Sequence, residues 1–420
     1  MYDKNYHYVK LMEQPDRRYL NKYYKENKNK EIALVFLDID NLKLINDAYG
    51  HIIGDEVLIY ISKKLINSLD DNSMVFRFGG DEFILIFVNK TKEDIQNCIE
   101  NIMSDANKVF RINNKEIYTT VSAGIYIPSR KESLEEIIRK ANIAMYHSKQ
   151  KGKNRYTFFN EDMDYAIKKK ADLIIELKKA VEEDKEFYVV YQPIYNVKSR
   201  KIEAVEALAR WNNNKYSEIP PSEFIPLLEE TGLIEKFGLN IIKRIFRDID
   251  SLTKKGFDIR FNINVSPIQL RNNDFFYQIN TLMKKYGINI KNIFFELTET
   301  QILNLKEDKI NEVIERGAKI ALDDFGTGYS SIINVMQLPI SEIKINKFII
   351  DKIEEDEKAR ILIQAIVYIA GKLRAEVVVE GVENKKQYDI LKKLGIKNIQ
   401  GYFISKPKRV EDLIIDLKYT

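Results

Sequence analysis

From residue 32 onward, short apolar runs alternate with amphipathic stretches, and the rhythm changes once, near residue 160. In the first part, 32–37 is a compact apolar run of strand type that ends at Asp38-Ile39-Asp40. An amphipathic stretch covers 42–48, and Gly50, His51 and Gly54 mark a turn into a helix over 55–69. Apolar runs at 74–78 and 83–87 flank Gly79-Gly80-Asp81-Glu82, the pattern of two strands joined by a tight hairpin. A helix over 92–109, a strand over 117–127, a helix over 133–149 and a strand over 156–159 follow. This β-α-β-hairpin-α-β order predicts an α+β, ferredoxin-like sheet, with the Tyr- and Lys-rich residues 1–30 as a helix leading in.

Beyond a charged stretch at 161–185, with apolar residues at helical spacing and no Gly or Pro, the pattern becomes strictly repetitive. Strands are expected at 188–193, 202–210, 259–265, 293–297, 319–325, 343–348, 376–382 and 401–404, with helices near 238–255, 308–316, 358–373 and 386–394. Repeated β-then-α order over about 240 residues predicts a parallel, TIM-like (β/α)8 barrel. The organisation read this way is a first domain over 1–160, a helical linker over 161–185, and a barrel over 171–420 whose start overlaps the linker.

Composition narrows the chemistry. Hydrophobic residues make up 45% of the 420, enough for a sizeable core. With 67 basic and 63 acidic residues, and no basic run interleaved with aromatics, nothing points to a nucleic-acid polymer. One cysteine, Cys98, excludes internal disulfides, and three histidines make a histidine metal site a poor expectation beside a carboxylate site for a hard cation. No apolar run reaches membrane-spanning length, and Met1-Tyr-Asp-Lys does not read as a signal peptide, so the expectation is a cytoplasmic protein.

The candidate chemistry sits at the ends of the barrel strands. The run 320–322 ends in Asp323 and Asp324, with Gly326 and Gly328 just beyond. Glu206, Asn264, Glu296, Lys344, Glu380 and Gln400 lie in or beside other predicted strands and are read as sitting at strand ends. Active sites of such barrels lie at that face, and so many oxygen ligands at successive strand ends call for a shared cation.

Two family resemblances rest on these residues. Arg77-Phe78-Gly79-Gly80-Asp81-Glu82-Phe83, with the Phe36–Asp47 and Gly50–Asp55 segments, resembles the GGDEF family of diguanylate cyclases. That resemblance implies Asp38 and Asp81 as Mg²⁺ ligands on GTP, and Asn46 and Asp55 reading guanine. It also implies Lys149 and Lys153 on phosphates, and Gly79, Gly80 and Glu82 as part of the nucleotide-binding hairpin. Lys153 stands where the family usually has Arg, and Asp70-Asp-Asn-Ser73 replaces its product-inhibition motif.

Glu206-Ala-Leu-Ala-Arg-Trp211, Asn264-Val-Ser266, Glu296-Leu-Thr-Glu299, Asp323-Asp-Phe-Gly-Thr-Gly-Tyr-Ser-Ser331, Lys344-Ile-Asn346, Glu380-Gly-Val-Glu383 and Gln400-Gly401 resemble, in order, the EAL family of cyclic-di-GMP phosphodiesterases. The resemblance implies hydrolysis of cyclic-di-GMP to linear 5′-pGpG. One or two Mg²⁺ or Mn²⁺ ions would be held by Glu206, Asn264, Glu296, Asp323, Asp324 and Glu380. Lys344 and Gln400 would assist the attacking water, Arg210 would hold a phosphate, Gln192 would contact guanine, and Glu299 would brace the glycine loop. Asn346 stands where the family usually has Asp. The implied partners are cyclic-di-GMP, GTP and a second copy of the chain. Two alternatives remain open at this stage: a cyclase or bifunctional protein, and a silent receptor for cyclic-di-GMP.

Overall fold

A computed structural model of the chain describes residues 8–9, 14–15, 17–305, 307–326 and 339–419. They belong to two compact units, 1–171 and 172–420. The loop from Thr327 through Ser331, including Gly328, lies outside the described residues.

The first unit is built on a five-stranded sheet in the order Ser73–Gly79, Glu82–Val88, Ile32–Ile39, Val121–Tyr126, Tyr156–Phe158. The last pair is parallel and the rest antiparallel. Every residue of Ile32–Ile39 is buried because both faces of the sheet are covered. Val35, Leu37 and Ile39 pack with helices His51–Asn67 and Lys92–Ala106, while Leu34 and Phe36 pack with Leu134–Gln150. The expected strand over 117–127 is two elements. Asn113 and Asn114 both take left-handed φ, of 46° and 65°. They turn a small hairpin of Phe110–Ile112 with Lys115–Ile117, and the sheet strand starts afresh at Val121.

Glu161–Glu183 is a single helix. Within the first unit, Arg139 Nη1 holds buried Asp164 Oδ1 at 2.5 Å. Within the second, Leu173, Leu177, Ala180 and Val181 at helical spacing lie in the barrel core.

The second unit is a closed eight-stranded barrel. Around it run Phe187–Asn196, Lys201–Asn213, Arg260–Asn264, Ile293–Thr298, Lys319–Phe325, Glu342–Ile345, Glu376–Val379 and Asn398–Ile399. Three expectations need correction. The barrel is not wholly parallel: Phe187–Asn196 runs antiparallel to both neighbours. Only residues 197–200 connect it to Lys201, too short for the crossover that a parallel pair requires. The last strand is Asn398–Ile399, not 401–404. Ile404 N and Ser405 N both donate to Gly401 O at 3.0 Å, so the chain turns just past the strand, and a Cβ at Gly401 would meet the Val382 backbone oxygen at 2.2 Å. The strand expected over 343–348 stops at Ile345, because Asn346 caps a short helix, Lys347–Ile350, through Phe348 N. Among the described residues, no helix is long and apolar enough to cross a membrane.

Candidate active site

The barrel strands deliver their polar side chains to one centre, and that centre is Lys344. In a strand, alternate residues share a face, so Glu342 and Lys344 both point inward. The Lys344 side chain is fully buried, and its Nζ lies 2.7 Å from Glu296, 2.7 Å from Glu380, 2.9 Å from Glu206 and 3.5 Å from Asp323. Asn264 Nδ2 donates to Glu206 at 3.2 Å and to Glu296 at 2.9 Å. Gln400 Nε2 donates to Glu206 at 2.6 Å and to Gln192 at 3.1 Å. Residues within or just past all eight barrel strands thus join one hydrogen-bonded cluster.

The adjacent acids need a local distortion. In a regular strand Asp323 and Asp324 would face opposite sides. The pairing with Glu342–Ile345 slips between Leu322 and Phe325, and Asp324 takes a left-handed φ of 56°. This conformation is less unfavourable for Asp than for most side chains. Carboxylate oxygens of Asp323, Asp324 and Glu380 consequently lie within 4.8 Å of one another. Asn346 Nδ2 donates to Asp324, while its Oδ1 accepts from Phe348 N at 2.7 Å. The residue that departs from the family pattern thus caps a helix and orients an acid at once.

Electrostatics follow from crowding. Burial opposes charge on Lys344, but Glu206, Glu296, Glu380 and Asp323 outweigh it and hold the ammonium well above the usual lysine range. Burial also tends to raise the Glu206 carboxyl, yet Lys344, Gln400 and Asn264 keep it below its ordinary value. Glu296 is pushed well above the ordinary value by burial and by Glu206. Glu380 is pushed up to about 7, chiefly by burial, and burial also raises Asp323. Four carboxylates facing one ammonium leave an excess of negative charge. Hard oxygen donors with such an excess fit a divalent cation of the Mg²⁺ or Mn²⁺ class.

The remaining barrel residues fall around this centre. Arg210 lies on the same strand face as Glu206, about 13 Å farther along. It is half-buried, with Glu218 at 3.8 Å. Glu299 is buried at the first turn of Glu299–Leu303, but the glycine loop assigned to it lies outside the described residues. Sequence reasoning missed the layer beneath, where Asn262 and Glu342 are fully buried. Their inward register with Asn264 and Lys344 was the available signal.

In the first unit, Asp38 is the penultimate residue of the central strand and pairs with Glu82. Lys149 Nζ lies 2.7 Å from it, and burial nevertheless pushes Asp38 up to about 6. Ile39 N donates to Asp81 O at 3.2 Å, which draws the hairpin turn to the strand end. Gly79 and Gly80 are exposed, Gly80 with φ 47°, and burial raises Glu82 above its ordinary value. Asn46 Oδ1 is buried with no hydrogen-bond partner among the described residues, and a Cβ at Gly54 would sit 1.8 Å from it. Asp55 is exposed, and exposed Lys153 donates to Asn41 at 2.7 Å. Asp40, which sequence reasoning left unassigned, is a brace: it accepts from Thr120 at 2.6 Å, Ser122 at 2.8 Å and Asn154 N at 3.2 Å.

The EAL domain family model matches residues 175–407, more than half of the chain. The chain belongs to the EAL family. A second match, to the diguanylate cyclase GGDEF domain, covers residues 15–155 ahead of the EAL domain. Among curated relatives, the cyclic di-GMP phosphodiesterase PdeR of Escherichia coli (strain K12) is 33% identical over 383 residues, covering 90% of this chain and 58% of PdeR. The signaling protein YkoW of Bacillus subtilis (strain 168) is 34% identical over 426 residues, covering 98% of this chain and 53% of YkoW. The chain therefore spans a little over half the length of these relatives. A solved structure of the PaMucR phosphodiesterase in a c-di-GMP complex matches with a TM-score of 0.54 at 27% identity, covering 57% of this chain and 99% of that one. The EAL domain thus has relatives whose names tie them to cyclic-di-GMP, and its acidic cluster lies at the barrel face where such folds do chemistry.

Proposed function

We propose that the EAL domain hydrolyses cyclic-di-GMP to 5′-pGpG with Mg²⁺ or Mn²⁺, and that the GGDEF domain binds GTP and regulates it. The observation that carries this reading is the convergence of Glu206, Glu296, Asp323 and Glu380 on one lysine, with Asp324 alongside. The cation ligands are Glu206, Asn264, Glu296, Asp323, Asp324 and Glu380. A cation held there would supply Lewis acidity, making a water nucleophilic near neutral pH and offsetting charge on the phosphoryl oxygens.

The chain's own residues do the rest. Arg210 holds a phosphate of the substrate in the half-buried position it occupies. Gln192, oriented by Gln400, presents its amide to a guanine edge. Lys344 keeps the ligand carboxylates together and offers an ammonium donor to the attacking water. Glu299 supports the loop that follows Asp324. Burial of Glu206, Glu296 and Lys344 keeps bulk water from screening these contacts. The test is incubation of cyclic-di-GMP with the protein and Mn²⁺ or Mg²⁺, with chromatographic detection of pGpG. Formation of pGpG that stops with EDTA supports the reading, and tight binding without product points to a receptor.

A second reading concerns the first domain. Asp38 and Asp81 at adjacent strand ends, with Lys149 against Asp38 and Lys153 on Asn41, suit Mg²⁺-GTP, and the orphan Asn46 Oδ1 suits a guanine N–H donor. The intact hairpin from Gly79 to Phe83 favours some cyclase activity as well, in a homodimer that faces two such domains together. Hydrolysis at subsaturating cyclic-di-GMP, with and without GTP, in wild type and Asp55→Ala, separates the roles. GTP stimulation lost in Asp55→Ala supports regulation. Cyclic-di-GMP made from GTP alone supports synthesis.

A further inference from the structure

Barrel interiors of this architecture are ordinarily filled by layers of branched apolar side chains. Beneath the Lys344 cluster this one is polar. Arg260, Asn262 and Asn264 occupy alternate positions of one strand and therefore point inward together. Asn264 serves the acid cluster directly. One layer down, Asn262 is fully buried, and its Nδ2 donates to Glu296 Oε1 at 3.0 Å and to Glu342 Oε1. Glu342, also fully buried, takes its countercharge from Arg260 Nη2. At the lower end, Arg260 Nη1 reaches Glu376 at 2.8 Å, and its guanidinium lies 4.5 Å from the centroid of the Phe294 ring.

Resting on the functional reading above, we propose that Asn262 is a positioning residue for the metal ligand Glu296, itself locked in place by the Glu342–Arg260 ion pair. The logic is one of donors and acceptors. An amide NH₂ has two protons, and Asn262 gives one to each of two carboxylates. Its orientation is therefore fixed from below by Glu342, whose Oε2 faces Arg260 Nη2 as its counter-ion. From above, Lys344 Nζ also reaches Glu296 Oε1, at 2.7 Å, and Asn264 reaches Oε2. Without Asn262, Glu296 keeps its charge partner but loses the contact that sets its height and tilt in the barrel. Groups that orient a ligand in this way typically change metal affinity or activity by 10- to 100-fold when removed.

The test is Asn262→Leu in the full chain, an uncharged replacement of similar size that abolishes both donations. Free Mn²⁺ is measured by electron paramagnetic resonance during titration, with a thermal melt in EDTA to establish the fold. The expected result is a folded variant whose Mn²⁺ affinity falls about tenfold. Its kcat should drop while the KM for cyclic-di-GMP stays near wild type, since Asn262 contacts no substrate. Should Asn262→Leu fail to fold, Asn262→Ala, smaller, free of overpacking and without a donor, is titrated in its place against the same two outcomes. A folded variant that binds Mn²⁺ as wild type does overturns the positioning role and leaves the functional reading standing. A wild-type chain that takes up no Mn²⁺ overturns both.

Discussion

Replacing Lys344 by Met tests whether the cluster is held together by a single buried charge. Met keeps the length of the side chain and removes the ammonium. In the wild type that ammonium lies within 2.9 Å of Glu206, Glu296 and Glu380, all in a site shielded from water. Breaking a buried ion pair by removing one partner costs about 3–5 kcal/mol, because the other charge is left uncompensated. Three such partners do not triple that figure, since the carboxylates respond by taking up protons. For a unit of this size, 3–5 kcal/mol corresponds to a melting shift of roughly 6–20 °C. The same excess of carboxylate makes a divalent cation more valuable to the variant. Differential scanning calorimetry in EDTA, and again with saturating Mn²⁺, is the assay. The barrel transition of Lys344→Met should drop by that amount in EDTA and recover most of it with Mn²⁺. Hydrolysis should remain severely impaired in both conditions. A variant that melts as wild type does in EDTA would refute the idea that this lysine neutralises the cluster.

Three further outcomes follow from other parts of the molecule. Glu206→Ala should leave the melting curve close to wild type in Mn²⁺ while lowering pGpG formation by several orders of magnitude, measured by single-turnover chromatography. Asn346→Asp should keep the helix cap but lose the donor to Asp324, so we expect lower stability in EDTA and maintained or raised hydrolysis with Mn²⁺, and a folded but inactive variant would contradict this. Asp164, held down to about 2 by Arg139, has a folded pKa below its ordinary value, so its stabilisation is full above that ordinary value and is lost as pH falls through the folded one. Arg139→Met should therefore lower the first unit's stability by about 1–2 kcal/mol at pH 7, and the difference should fade between about pH 4 and pH 2.

Much of the site was legible because strand ends in a β/α barrel converge: once the apolar runs are assigned, Glu206, Asn264, Glu296, Asp323, Lys344, Glu380 and Gln400 must meet at one face. The central place of Lys344 was not legible. Whether it lies beside the acids or among them depends on inward register within a four-residue strand, and 343–348 read as a longer one. The bulge at Asp323–Asp324 was equally hidden, since left-handed φ at an Asp leaves no mark in the apolar pattern. In the first unit, the hairpin and the acids Asp38 and Asp81 were plain, but the break in 117–127 was not, because Asn113-Asn114 lies before the run it resets. Asn262 and Glu342 were passed over because a polar residue flanked by apolar ones reads as the solvent side of a strand, whereas here it is the inside of the barrel.

The most direct measurement is the product formed from cyclic-di-GMP by the full chain. With Mn²⁺ or Mg²⁺ present, chromatography should show conversion to pGpG. Conversion should cease when EDTA is added and resume when the cation is restored. Unchanged cyclic-di-GMP after prolonged incubation with either ion, from a chain whose melt shows it folded, would contradict the account.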